Sequence, residues 1–239
     1  GLKETSKIVR AHGLALSGVA RGGMFTAADD AGLELAAEDN RRAVDEACEL
    51  RAACLVLVVG GLPGAMQGKP AHRNIALSRQ QAVDGVGTLL DYARAQHMPL
   101  AIEPLHPMYA AERACINTME HALDVCDVLD PARSGALGVA VDMYHVWWDP
   151  KLEEQIRRAG RQRLLGYHIC DWRVPTRDLL NDRAMMGDGV IDLPRIRGYM
   201  EAAGYRGFHE VEIFSDQDWW KREPEEVLRT CSERYLTAT

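Results

Sequence analysis

The sequence predicts one domain of the α/β class, a (β/α)8 barrel spanning residues 1–239. Apolar runs of strand length alternate with helical segments along the whole chain, and such alternation is typical of a parallel sheet covered by helices. Several of these apolar runs end in a carboxylate or a histidine. The length of 239 residues is also close to the roughly 250 that are typical of such a barrel.

The first half of the chain predicts a leading helix followed by strands and helices in turn. The run CLVLVVGG is continuous, rich in β-branched residues and closed by two glycines, which indicates a strand buried on both faces. Asp39 or Asn40 is the candidate cap of the helix before this strand. In chain order the predicted elements are a helix at 2–10, a strand at 12–19, a helix at 37–51, a strand at 54–61, a helix at 78–97 and a strand at 99–104.

The second half continues the same alternation to the last helix. Asp192, followed by a leucine and a proline, is a typical start of a helix. The predicted elements are a helix at 118–129, a strand at 135–143, a short helix at 151–160, a strand at 164–172, a helix at 192–204, a strand at 207–214 and a helix at 223–235.

The number of strands separates two architectures. Six strands, each followed by a helix, are fewer than the eight of a closed barrel. We therefore expect this sequence to lack the first strand, first helix and second strand of the barrel, about 40 residues at roughly 30 or more per βαβ unit. The alternative is an open, doubly wound six-stranded sheet, which needs no missing part. The polar residues at the strand ends favour the barrel.

Composition excludes several classes of partner. The net charge of −7 argues against nucleic acid and against an anionic membrane surface, since both favour basic proteins. No apolar run approaches the roughly 20 residues that a membrane span requires. The six cysteines include no C-x-x-C pair, so we interpret them as reduced thiols of a cytoplasmic protein.

Four consecutive predicted strands each end in a possible metal ligand, in the order Glu103, Asp142, His168 and Glu212. The carboxyl ends of parallel strands meet at one face of the sheet. Three carboxylates would repel one another there unless a cation lay between them. Three carboxylates and one imidazole suit Mn²⁺ best, with Mg²⁺, Co²⁺ or Zn²⁺ as alternatives. The sequence therefore predicts one divalent cation at this face.

Each of these residues has a structural interpretation when it is taken alone. A single glutamate at a strand end more often forms a salt bridge or faces solvent, and a single buried histidine is as often part of the core. The case for a metal rests on four such residues at four successive strand ends. Glu210 points to the same side of the last strand as Glu212, so the identity of the fourth ligand remains open on spacing alone.

Several motifs match a known superfamily over essentially the whole chain. IEPLHP is similar to its E-P-x-N motif, VDMYH to its D-x-x-H motif, and GYRGFHEVEIF to its terminal G-x-x-x-x-E strand. The sequence thus resembles the xylose-isomerase-like barrels, the group of sugar phosphate isomerases and epimerases. The resemblance implies that the predicted quartet binds the metal, that Glu212 is preferred to Glu210, and that Glu103 and Glu212 act as acid and base.

The resemblance also implies residues that contact the substrate. His145 lies where the family uses a histidine for this purpose, and Arg173 resembles the arginine that neutralises enediolate charge, with Arg177 as a competitor. His106 departs from the family, in which asparagine is common, and is a further candidate for substrate binding. The GDGVID loop at 187–192 offers backbone N–H groups to a phosphate, or forms a tight turn before a helix.

These features together predict an enzyme with a small, sugar-like substrate. We expect a divalent-metal-dependent isomerase or epimerase that removes a proton next to a carbonyl and proceeds through an enediolate. A metal-dependent lyase or dehydratase of the same fold is the alternative, and a protein resembling the apurinic-site endonucleases is a weaker one. The resemblance further implies a homo-oligomer.

Overall fold

Six parallel strands form one curled sheet in the order β1-β2-β3-β4-β5-β8 in the computed structural model, which describes all residues from Gly1 to Thr239. A separate antiparallel hairpin is formed by β6 and β7 after the fifth strand. The strands are β1 Val19–Gly23, β2 Leu55–Val58, β3 Leu100–Ile102, β4 Leu137–Asp142, β5 Leu164–Ile169, β6 Asp171–Trp172, β7 Arg183–Ala184 and β8 Glu210–Val211.

Eight α-helices accompany these strands, the first before β1 and the last after β8, and several begin at a side-chain cap. The side chains of Asp29, Thr118 and Asp192 each accept a hydrogen bond from the backbone N–H three residues later, which stabilises the first turn of the helix. The helices are α1 Leu2–Ala11, α2 Asp30–Leu50, α3 Ile75–Ala95, α4 Met119–Leu129, α5 Met143–Val146, α6 Leu152–Arg163, α7 Leu193–Ala202 and α8 Pro224–Ala238. Short 3-10 helices lie at Ala65–Gln67, Pro107–Tyr109 and Trp219–Lys221.

The strand order decides between the two predicted architectures. The large sheet follows chain order without reversal, whereas a doubly wound sheet reverses its order at a switch point. Its two edges also approach each other, because Ser17 Oγ, just before β1, hydrogen-bonds Glu210 Oε2 in β8. The prediction of a barrel-type sheet is confirmed, and the doubly wound alternative is wrong.

The core has two parts that differ in the size of their side chains. A cluster of 45 buried residues packs the outer face of the sheet against the helices. Inside the curl lies a small cluster of Cys54, Val56, Ala101 and Ala140. Small side chains allow the strands to close around a common axis. They also leave space inside the curl for polar side chains at the carboxyl ends of the strands.

Two predicted elements of the first half are wrong in position. The strand predicted at 12–19 lies instead at Val19–Gly23. A glycine is required at its end, because a Cβ on Gly23, whose φ is +119°, would lie 2.0 Å from the Val58 carbonyl oxygen. The helix predicted at 37–51 begins at Asp30 and is capped by Asp29, not by Asp39 or Asn40. Asn40 instead exchanges hydrogen bonds of 2.6 Å with the backbone of Gly23.

None of the eight helices combines the length and apolar character that a membrane-spanning helix requires.

Candidate metal centre

On three neighbouring strands, β3, β4 and β5, a small residue and the polar residue two positions later both face the inside of the curled sheet. Each strand has a small residue facing the interior, and the residue two positions later faces the same way because strand side chains alternate. The polar member lies within one residue of the carboxyl end of its strand. The pairs are Ala101 with Glu103, Ala140 with Asp142, and Gly166 with His168.

The fourth member, Glu212, follows the last strand of the sheet. Its backbone N–H donates to the Ile169 carbonyl at 3.0 Å, which places it beside the end of β5. Glu103, Asp142, His168 and Glu212 each have one ligand atom, and these four atoms all lie within 4.8 Å of one another. The structure thus brings together the four residues that the sequence singled out.

The contact between Glu103 and His168 lacks hydrogen-bond geometry. Glu103 Oε1 and His168 Nδ1 lie 2.8 Å apart, yet each is shielded from solvent and neither has a hydrogen-bond partner. Glu212 Oε2 lies 3.8 Å from the same nitrogen. Buried polar atoms are rarely left without a partner. Two such atoms side by side are suited to share a cation, so the residues present fit a divalent metal.

Arg183 is a fifth member of the site that sequence reasoning missed. It is 3% exposed, and its Nη1 lies 2.8 Å from Asp142 Oδ2 and 2.9 Å from Glu212 Oε2. Its Nη2 lies 3.2 Å from His145 Nε2. The one available signal was the apolar run AMM directly after it, which makes an arginine at that point a candidate for burial.

The hairpin of β6 and β7 positions Arg183 over the cluster. Trp172 pairs with Arg183 across the two strands, and Asp171 anchors the following loop by accepting hydrogen bonds of 2.9–3.0 Å from the backbone N–H groups of Gly187, Gly189 and Ile191. These amides are therefore occupied by a carboxylate of the protein itself. The GDGVID loop is a tight turn, as in the second of its two interpretations, and its N–H groups are not free for a phosphate.

The charges of the cluster shift the pKa values of its members strongly. Burial opposes ionisation of His168, but Glu103, Asp142 and Glu212 outweigh it and raise the pKa of His168 to about 10. Burial, with the charges of Asp142 and Glu103, raises the pKa of Glu212. Burial would also raise the pKa of Asp142, but the charges of Arg183, His145 and His168 hold this pKa well below its usual range. The raised pKa of Glu212 indicates that the positive groups present do not fully compensate the negative charge of the cluster.

His145 and His106 lie at the edge of the cluster and contact each other. The backbone N–H of His106 donates to His145 Nδ1 at 3.2 Å, and His145 Nε2 lies 3.6 Å from Asp142 Oδ2. Burial lowers the pKa of His145 to about 4, so its ring is neutral. The His106 ring is half-buried between Trp148 and Trp172, at centroid distances of 5.9 and 5.0 Å.

The two arginines singled out by the sequence lie in other contacts. Arg173 pairs with Asp182 at 3.6 Å and with Asp218 at 3.4 Å, and its side chain is 37% exposed. Arg177 pairs with Asp216 at 2.7 Å. The structure does not bring either guanidinium into contact with the four candidate ligands, whereas Arg183 contacts two of them.

The fold and the site can be compared with known proteins. The family model described as xylose isomerase-like TIM barrel matches residues 1–231. The crystal structure of protein SMc04130 from Sinorhizobium meliloti 1021 is similar, with 58% identity and a TM-score of 0.93, over 100% of this chain and 83% of that one. No curated protein matches this chain.

More distant structures share the fold. The IOLI protein, solved with a bound zinc atom, is 19% identical with a TM-score of 0.78, over 100% of this chain and 81% of that one. D-allulose 3-epimerase from Methylomonas sp., solved in complex with D-allulose, is 18% identical with a TM-score of 0.74, over 100% of this chain and 82% of that one.

Proposed function

Because the chain belongs to the xylose isomerase-like TIM barrel family, we propose that it is a divalent-metal-dependent isomerase or epimerase of a sugar or sugar-like ketone. The reaction removes a proton next to a carbonyl group and proceeds through an enediolate. One observation carries the proposal: four ligand atoms from four strand ends lie within 4.8 Å of one another. The sugar epimerase among the structural relatives supports a substrate of this class.

The proposed ligands of the metal are Glu103, Asp142, His168 and Glu212. Three oxygen donors and one nitrogen donor suit Mn²⁺, with Mg²⁺, Co²⁺ and Zn²⁺ as alternatives. The zinc atom bound by the IOLI protein supports a divalent cation as the bound group. Such an ion, when bound, supplies Lewis-acid polarisation of the substrate carbonyl group.

Glu103 and Glu212 are the proposed acid and base. One oxygen of each carboxylate lies close to His168 Nδ1, at 2.8 and 3.8 Å, so both groups lie at the same end of the curled sheet. One carboxylate takes the proton from the carbon next to the carbonyl, and the other returns a proton to the same or the adjacent carbon.

The remaining site residues are proposed to bind the substrate. His106 and His145 both border the cluster. Arg173 stays a predicted substrate contact on the basis of the resemblance. The geometry favours Arg183 for the stabilisation of developing negative charge, because its guanidinium already lies between Asp142 and Glu212.

The proposal predicts exchange of a carbon-bound proton with solvent. The metal-loaded protein should exchange a C–H hydrogen for deuterium in at least one member of a panel of ketohexoses, ketopentoses and inositol-derived ketones, measured by NMR in D₂O. Removal of the metal with a chelator should stop the exchange, and readdition of Mn²⁺ should restore it. Exchange that persists at full rate after chelation, or no exchange with any ketone in the panel, would contradict the proposal.

A further inference from the structure

Tyr109 is a buried tyrosine that the residues discussed so far do not explain. It closes the short 3-10 helix Pro107–Tyr109, six residues after Glu103, and is 6% exposed. Its ring meets the His145 ring edge-on, with the centroids 5.9 Å apart. The short helix thus carries an aromatic side chain from the end of β3 to the edge of the metal centre.

The hydroxyl group of Tyr109 has no hydrogen-bond partner and no contact with solvent. Two other buried tyrosines differ in this respect: the Tyr144 hydroxyl donates to the Leu179 carbonyl at 2.8 Å, and the Tyr205 hydroxyl donates to the Phe208 carbonyl at 2.7 Å. A buried hydroxyl without a partner costs free energy. The protein keeps this hydroxyl at a place where phenylalanine would avoid that cost.

The His145 ring links Tyr109 to Arg183: it meets the Tyr109 ring edge-on, and its Nε2 lies 3.2 Å from Arg183 Nη2. Burial raises the pKa of Tyr109, and among the charged groups Arg183 has the largest opposing effect. The hydroxyl therefore stays protonated near neutral pH and is available as a hydrogen-bond donor. Since Arg183 also contacts Asp142 and Glu212, Tyr109 packs against residues that border the candidate metal centre.

We propose that the hydroxyl of Tyr109 donates a hydrogen bond to an oxygen atom of a polyhydroxylated substrate that lies beside His145 and Arg183. This inference rests on the proposed function and adds a determinant of specificity to it. A site that buries a donor for a substrate hydroxyl discriminates against analogues that lack the hydroxyl, because the donor is then left without a partner. The enzyme should accordingly prefer hydroxylated ketones to their deoxy analogues.

The test compares Tyr109→Phe with Tyr205→Phe as a matched control. Tyr109→Phe should lower kcat/KM for C–H exchange by roughly tenfold or more, while its bound metal and its melting temperature stay at or above the wild-type values. Tyr205→Phe removes a hydroxyl that does have a partner, so it should lower the melting temperature and leave exchange unchanged. The loss in Tyr109→Phe should shrink with the deoxy analogue that lacks the partner hydroxyl.

A binding measurement supplements the kinetic one. Calorimetric titration of the metal-loaded proteins with the ketose that wild type exchanges fastest should show weaker binding to Tyr109→Phe than to wild type. Equal exchange and equal affinity in Tyr109→Phe and wild type would overturn the inference and leave the proposed function intact. A lower melting temperature of Tyr109→Phe without a kinetic change would have the same consequence. A wild-type protein that neither exchanges nor binds any ketose would overturn the proposed function, and the inference with it.

Discussion

Replacement of Glu103 or Glu212 by glutamine should reduce C–H exchange by about 10²–10⁴-fold, the contribution typical of general acid–base catalysis. Glutamine has nearly the same size and retains one oxygen that can contact a cation, but it cannot take up or release the proton. Both carboxylates lie within 4 Å of His168 Nδ1, so each variant removes one side of the proposed proton transfer. The measurement is the rate of deuterium incorporation by NMR.

Glu210→Gln is the matched control for this pair. Glu210 lies in β8, two residues before Glu212, and its carboxylate accepts a hydrogen bond from Ser17. Its replacement should leave most of the exchange intact. Unchanged exchange in both Glu103→Gln and Glu212→Gln would exclude the assigned acid and base, and loss of exchange in Glu210→Gln alone would move the role to that residue.

Replacement of Arg183 by methionine should lower the free energy of unfolding of the metal-free protein by about 3–5 kcal/mol, the cost of removing one partner from a buried ion pair. Methionine retains much of the side-chain length but leaves Asp142, which is fully buried, without its guanidinium. A bound divalent cation would compensate the same carboxylates, so saturating Mn²⁺ should reduce the difference between variant and wild type. Chemical denaturation with and without Mn²⁺ measures both effects.

Arg173→Met is the control for Arg183→Met. Its ion pairs with Asp182 and Asp218 are partly exposed, and exposed pairs contribute about 0–1 kcal/mol. The variant should therefore unfold close to the wild-type midpoint. Equal destabilisation in Arg173→Met and Arg183→Met would show that Arg183 does not compensate the buried carboxylates.

Local patterns in the sequence were sufficient to predict most of the fold. The run at 54–61 consists almost wholly of residues that favour strands, and the structure has β2 at Leu55–Val58. Asp192 with the following proline predicted the start of α7, which is confirmed. These elements depend on side chains adjacent in sequence, so periodicity and capping rules apply to them directly.

The candidate metal ligands could be predicted from the sequence for the same reason. In a parallel sheet the carboxyl ends of neighbouring strands meet, so a residue at a strand end can be assigned to that face without knowledge of loop paths. Glu103 and Asp142 follow strongly apolar strands whose ends are easy to locate. Glu212 was harder, because β8 is only two residues long and its alternation permits Glu210 as well.

Features that depend on distant parts of the chain could not be predicted. β1 contains an arginine and two glycines, and its position depends on the close approach of Gly23 to Val58. The burial of Arg183 depends on a hairpin formed by two strands of two residues each, too short for a periodic signal. Spacing from His168 therefore indicated Arg173, whereas the contacts of the folded chain bring in Arg183.

Titration of the metal-free protein with Mn²⁺ tests the central claim most directly, namely that the four strand-end side chains hold one cation. Calorimetry should show one ion bound per chain, and Asp142→Asn should bind much more weakly while Asp218→Asn, which alters a surface ion pair, binds like wild type. Elemental analysis after dialysis should give the same stoichiometry. No binding of Mn²⁺, Mg²⁺, Co²⁺ or Zn²⁺ by the wild type, or equal binding by Asp142→Asn, would contradict the account.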